Sequence, residues 1–154
     1  MTRPRPASRL AKADYETLAE FRHLLRRFVA FSDAAAEAAG LRPQQHQALL
    51  VIKGFAGRER ITIGELAERL GIRHHSAVGL VDRLAARNLV RRRADRMDRR
   101  QVEIALTPRA EALLTRLSLA HRGELTRLAP LFQGLFAQLR APRPRIRRNR
   151  RENA

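Results

Sequence analysis

Residues 65–108 constrain the architecture more tightly than any other stretch. "ELAERLG" places Leu66, Ala67 and Leu70 on one helical face and stops at Gly71, and "IRHHSAVGLVDRLAARNLV" resumes the period with Ala77, Leu80, Val81 and Leu84. Two short amphipathic helices with so tight a connection spell a helix-turn-helix. Asn88 follows the second helix where a left-handed residue is wanted, and Asn tolerates that conformation. "LVRRR" and "QVEIALT" then flank "ADRMDR". The second stretch alternates, with Val102, Ile104 and Leu106 on one side, so the segment reads as a two-stranded antiparallel ribbon with a charged tip. Thr107 and Pro108 reset the chain as N-cap and first residue of another helix.

The flanking segments are helical. With Asp14 as N-cap, Tyr15, Leu18, Phe21, Leu25, Phe28, Val29 and Ala36 recur at helical spacing until Gly40. "LRPQQHQALLVIKGFAG" opens a second helix on Pro43, buries Ala48, Leu49 and Ile52, and ends near Gly54 and Gly57. "ITI" allows only a small strand. After Pro108 the leucines 113, 114, 117, 125 and 128 continue a helix to Pro130, where a break is expected, with "LFQGLFAQLR" as a separate last helix. The fold class is mainly α with a small β-ribbon. A chain of 154 residues is long enough for one domain with a substantial core, expected at 14–140, between a basic arm (1–13) and an Arg-rich tail (141–154) too poor in apolar residues to order.

Charge says what such a domain meets. The net charge is +17, and residues 73–100 alone carry nine arginines against three aspartates, a net of +6. A concentrated basic patch is the footprint of a polyanion binder, because neutralising phosphates releases condensed counterions; an acidic membrane surface is the other partner that charge alone allows. No apolar run approaches the roughly 20 residues of a membrane span, so no membrane partner is expected. The absence of cysteine removes disulfides and thiolate ligation and points to the cytoplasm. No cofactor or metal is expected either. His74 and His75 are adjacent and point about 100° apart on a helix, while His23, His46 and His121 fall on different helices without a metal-ligand spacing. Ser76 beside His75 lacks both an orienting acid and a nucleophile-elbow sequence, which argues against an enzyme.

The order of elements resembles the winged-helix regulators of the multiple-antibiotic-resistance regulator (MarR) family over about residues 14–140. The most specific match is the wing, where the family pattern Asp-x-x-Asp-x-Arg followed by a strand ending in Leu-Thr is met by Asp95, Asp98, Arg100 and Leu106-Thr107. "GLRPQQHQALL" and "ELAERLG…LVDRLAARNLVRR" agree in order and spacing. The resemblance implies a winged helix-turn-helix, with a DNA-binding lobe at about 42–107 and an α-helical dimerisation region formed by the N- and C-terminal helices, about 14–39 and 108–140. It makes Arg100 the arginine that enters the minor groove and Asp98 its buttress, with Arg93, Arg96 and Arg99 completing a wing that meets phosphates. An aspartate two residues before an arginine holds the guanidinium and lowers the entropy lost on binding. As plain chemistry, the same run is a solvated hairpin with surface ion pairs worth little.

The recognition helix implied by the resemblance offers Arg73, His74, His75, Ser76, Val78, Gly79 and Arg83 to the major groove, which is wide enough to admit a helix. Val78 and Gly79 depart from the hydroxyl or arginine often found there. The resemblance further implies a homodimer that spaces two such helices about one turn of double-stranded DNA apart, and a small-molecule effector, with His46 a weak candidate for its pocket. The expected activity is transcriptional repression at a pseudo-palindromic operator. Alternatives are a nonspecific basic nucleic-acid-binding or architectural protein that relies on its Arg-rich ends, and an Arg-rich protein that acts on acidic partners or RNA.

Overall fold

A computed structural model describes residues 10–94 and 102–140. The elements are α1 (Lys12–Ala38), α2 (Pro43–Lys53), β1 (Arg60–Thr62), α3 (Ile63–Leu70), α4 (His74–Ala86), β2 (Val90–Ala94), β3 (Val102–Leu106) and α5 (Pro108–Arg140). The strands form one antiparallel sheet in the order β1-β3-β2. Together the helix-turn-helix, the three-stranded sheet and the long flanking helices make a winged helix, as expected.

Cap chemistry sets the boundaries. Gly40 and Gly71 take positive φ (75° and 64°), as does Asn88 at 54°, so each helix end turns back on a left-handed residue. The N–H groups of Leu41, Ile72 and Leu89 then close onto the carbonyls of Ala36, Ala67 and Leu84, a pattern that satisfies the last turn's orphan acceptors. Pro43 opens α2. Thr107 caps α5: its hydroxyl accepts the Ala110 N–H at 3.2 Å and donates to the Asn88 carbonyl at 2.8 Å.

Three local expectations need correction. Asp14 does not cap α1; Ala11 does, and Asp14 stands three residues further on, where its carboxylate accepts the Ala11 N–H at 2.8 Å. A carboxylate there still satisfies an orphan donor and faces the positive end of the helix. Pro130 does not end a helix, because α5 runs through it for 33 residues. Leu128 before it and Leu135 after it are buried in the same cluster with Leu24, Phe21, Phe28 and Phe132, so packing against α1 outweighs one lost backbone bond. On β3 only Ile104 is fully buried, whereas Leu106 is half-covered and Val102, at the far end, is exposed.

The main core joins α2, α3, α4 and the sheet through Leu49, Ile52, Ile61, Leu66, Leu80, Leu84 and Ile104, all at most 1% exposed. Its extension along α5 by Ala110, Leu114 and Leu117 joins the helix-turn-helix and sheet to the long helix. The smaller cluster sits where α1 and the far half of α5 pack together.

Candidate nucleic-acid interface

Burial orients α4. Ala77, Leu80, Val81 and Leu84 lie against the core, so the opposite face and the N-terminal turn look outward. Arg73, His74, His75, Ser76 and Arg83 are exposed there; Val78 and Gly79 are half-buried. Arg73 is the N-cap and contributes no side-chain acceptor; only its carbonyl receives the Ser76 and Ala77 N–H groups. The helix therefore presents donors and positive partial charge at an end already carrying Arg73, a favourable place for phosphate. A Cβ added at Gly79 would meet only the Arg83 Nη1 at 3.4 Å, so this stretch of backbone is accessible.

The ribbon stands beside this helix. Register sets Arg92 opposite Ile104, on the side of β2 that faces the protein, and Arg91 and Arg93 opposite Ala105 and Glu103 on the other side. Arg92 is met there by Asp82 of α4, an ion pair that ties α4 to β2. Sequence reasoning missed this pair, which joins two exposed side chains ten residues apart. On the outer side Arg60 meets Glu103 at 3.4 Å, while Arg91 and Arg93 remain exposed. The expected tip residues Arg96, Asp98, Arg99 and Arg100 lie outside the described residues.

A second feature lies between α1, α2 and α5, a groove of about 480 Å³ walled by Phe28, Val29, Leu50 and Leu125. His46 forms part of its lining and is 3% exposed. Its ring lies 4.8 Å from that of His121, centroid to centroid. His121 donates from Nδ1 to the Leu117 carbonyl at 2.6 Å, leaving Nε2 to accept from the Ser32 hydroxyl at 2.8 Å. Burial, and then the neighbouring His121, hold the His46 imidazole below its ordinary range, against the opposing pull of Asp33. Folding thus brings together two of the three scattered histidines; His23 stays on the surface of α1.

An exposed helix terminus next to a basic antiparallel ribbon, carried on long flanking helices, defines a winged helix of the kind that DNA-binding regulators use. Residues 39–101 match the MarR family model, a segment that takes in the helix-turn-helix. Solved structures agree in fold. AbsC, a MarR family transcriptional regulator from Streptomyces coelicolor, is 19% identical with a TM-score of 0.65, over 88% of this chain and 86% of that one. RV1404 from Mycobacterium tuberculosis is 23% identical with a TM-score of 0.66, over 88% and 94%. A probable transcriptional regulator from Pseudomonas aeruginosa is 28% identical with a TM-score of 0.56, over 77% and 92%. No curated protein matched the chain. Family segment and shared fold together support a DNA-binding regulator. No helix among the described residues is long and apolar enough to cross a membrane.

Proposed function

We propose that the protein is a homodimeric transcriptional repressor that binds a pseudo-palindromic operator and is released by a small-molecule effector. The observation that carries the reading is the α4 N-terminus, with Arg73, His74, His75 and Ser76 exposed beside the exposed Arg91 and Arg93 of β2. A helix end of this polarity suits the major groove, and Arg93 leads into a wing whose Arg96, Arg99 and Arg100, aimed by Asp98, meet phosphates and the minor groove. Arg83 and the accessible backbone at Gly79 extend the contact along the groove, and Val78 offers an apolar touch to a thymine methyl.

Dimerisation is supported by apolar side chains that the single chain leaves uncovered. Tyr15, Leu18, Leu25 and Val29 on α1, and Leu125, Leu131, Phe136 and Leu139 on α5, are each at least 40% exposed. A second copy that covers them would set two recognition helices about 34 Å apart. The groove beside His46 and His121 lies between these helices and α2, so an occupant there would bias the spacing of the two lobes. Its apolar walls suit an aromatic effector, and Arg122 at its rim suits an acidic substituent.

Selection of bound duplexes from a random pool tests the reading. An enriched inverted repeat is the expected result, with affinity sharply reduced in Arg100→Ala while the fold is kept. If the selected duplexes share no sequence, and trimming residues 1–10 and 141–154 removes most binding, the protein is instead a nonspecific basic nucleic-acid binder.

A further inference from the structure

A third concavity, on the other side of α5 from the histidine groove, differs from it in charge. It encloses about 660 Å³ and is lined by Ala39 at the end of α1, Arg87 and Leu89 beyond α4, and Arg109, Ala112, Leu113, Thr115 and Arg116 of α5. Leu89 is fully buried and Leu113 half-buried, giving the concavity an apolar floor. Three guanidinium groups stand around it, and no carboxylate is among the lining residues. Elsewhere on the described surface several cations are balanced: Lys53 sits between Glu59 and Glu111, Arg58 meets Glu65, and Arg127 meets Glu124.

The three arginines are arranged unequally. Arg87 is fixed, donating from Nη2 to the Gly40 carbonyl at 2.8 Å and from Nη1 to the Gln45 amide oxygen at 3.0 Å. Gln45 is itself 5% exposed and accepts the Arg42 N–H, so this anchor is built into the α1–α2 junction. Arg109 and Arg116, two turns apart on α5, have no hydrogen-bond or ion-pair partner among the described residues. Guanidinium groups without a carboxylate partner attract an anion and can hold it by paired hydrogen bonds, while the floor accepts hydrocarbon.

We propose that this groove binds an amphipathic organic anion, with its acidic head between Arg109 and Arg116 and its apolar body on Leu89 and Leu113. A medium-chain carboxylate is the simplest member of the class, and the groove's volume lies in the range of small-molecule sites. The site stands independently of the DNA-binding reading, because its test measures ligand binding to the full-length protein without DNA.

Calorimetric titration with decanoate, decanol and acetate provides that test. Decanoate binds most tightly, and the double variant Arg109→Gln/Arg116→Gln weakens it about tenfold or more while leaving decanol unchanged. Both positions are exposed, so the thermal melt should stay close to that of the unaltered protein. Ala112→Phe, which fills the groove from an exposed position, abolishes decanoate and decanol binding alike. Leu50→Arg, in the histidine groove, leaves decanoate affinity unaltered. Equal decanoate affinity in the double variant, loss of binding only in Leu50→Arg, or acetate binding as tightly as decanoate would each overturn the assignment.

Discussion

Thr107 carries two jobs in a single hydroxyl, and its replacement by valine separates them from simple packing. The side chain is 1% exposed; it caps α5 through the Ala110 N–H and donates to the Asn88 carbonyl in the turn after α4. Valine has nearly the same volume and none of the polarity. Removing an N-cap costs about 1 kcal/mol, and leaving a half-covered carbonyl without its donor adds about 1–2 kcal/mol, so Thr107→Val should lose about 2–3 kcal/mol. That is a sizeable share of a stability on the order of 5–15 kcal/mol. Thr107→Ser keeps both bonds and gives up one buried methyl, for about 1 kcal/mol. Urea unfolding at one fixed protein concentration reads the difference as a midpoint shift at constant slope. Equal losses for the valine and serine variants would show that the hydroxyl contributes nothing beyond its packing, and the reasoning would be wrong.

His46 is held below its ordinary titration range in the fold and titrates near 6.5 when unfolded. Stability should therefore be complete above about pH 6.5 and fall as the pH drops toward the lowered folded value, because the unfolded chain takes the proton first. His46→Gln should flatten that limb of the melting-temperature profile, whereas an unchanged slope would show that His46 does not set it. Gly79→Ala should stabilise α4 by up to about 1 kcal/mol, since the added methyl meets only a mobile arginine. If DNA comes close to this backbone, the same variant weakens operator binding, and unimpaired binding rejects the close approach. Leu125→Glu places a charge on an exposed apolar position of α5 and should shift the molecule to single chains in sedimentation; a persistent dimer would relocate the interface.

Features carried by neighbouring residues were legible in the sequence. The helix-turn-helix follows from a period interrupted by Gly71, the turn at Asn88 from its tolerance of positive φ, and the start of α5 from Thr107 and Pro108. Asp14 misled because an acid in the first turn serves a helix start equally well at N-cap or three residues later. Pro130 misled for a different reason: its cost is local and readable, whereas the burial of Leu128 and Leu135 against α1 that offsets it is not. Tertiary pairings stayed hidden likewise. Nothing in the spacing of Asp82 and Arg92, or of His46 and His121, announces that folding sets them side by side. The groove with three arginines is the extreme case, since its lining comes from three separate stretches of chain.

The unbroken course of α5 through Pro130 makes it a lever. With 33 residues at 1.5 Å each it extends roughly 50 Å. One end is hooked by Thr107 to the turn behind α4, and the far end clasps α1. On an arm that long, a tilt of about one degree at the tip displaces the hooked end by ~1 Å, roughly a third of a hydrogen-bond length. The missing rung at the proline is the compliant point of the arm, and stiffening it with alanine would pass more of any distal movement to the opposite end.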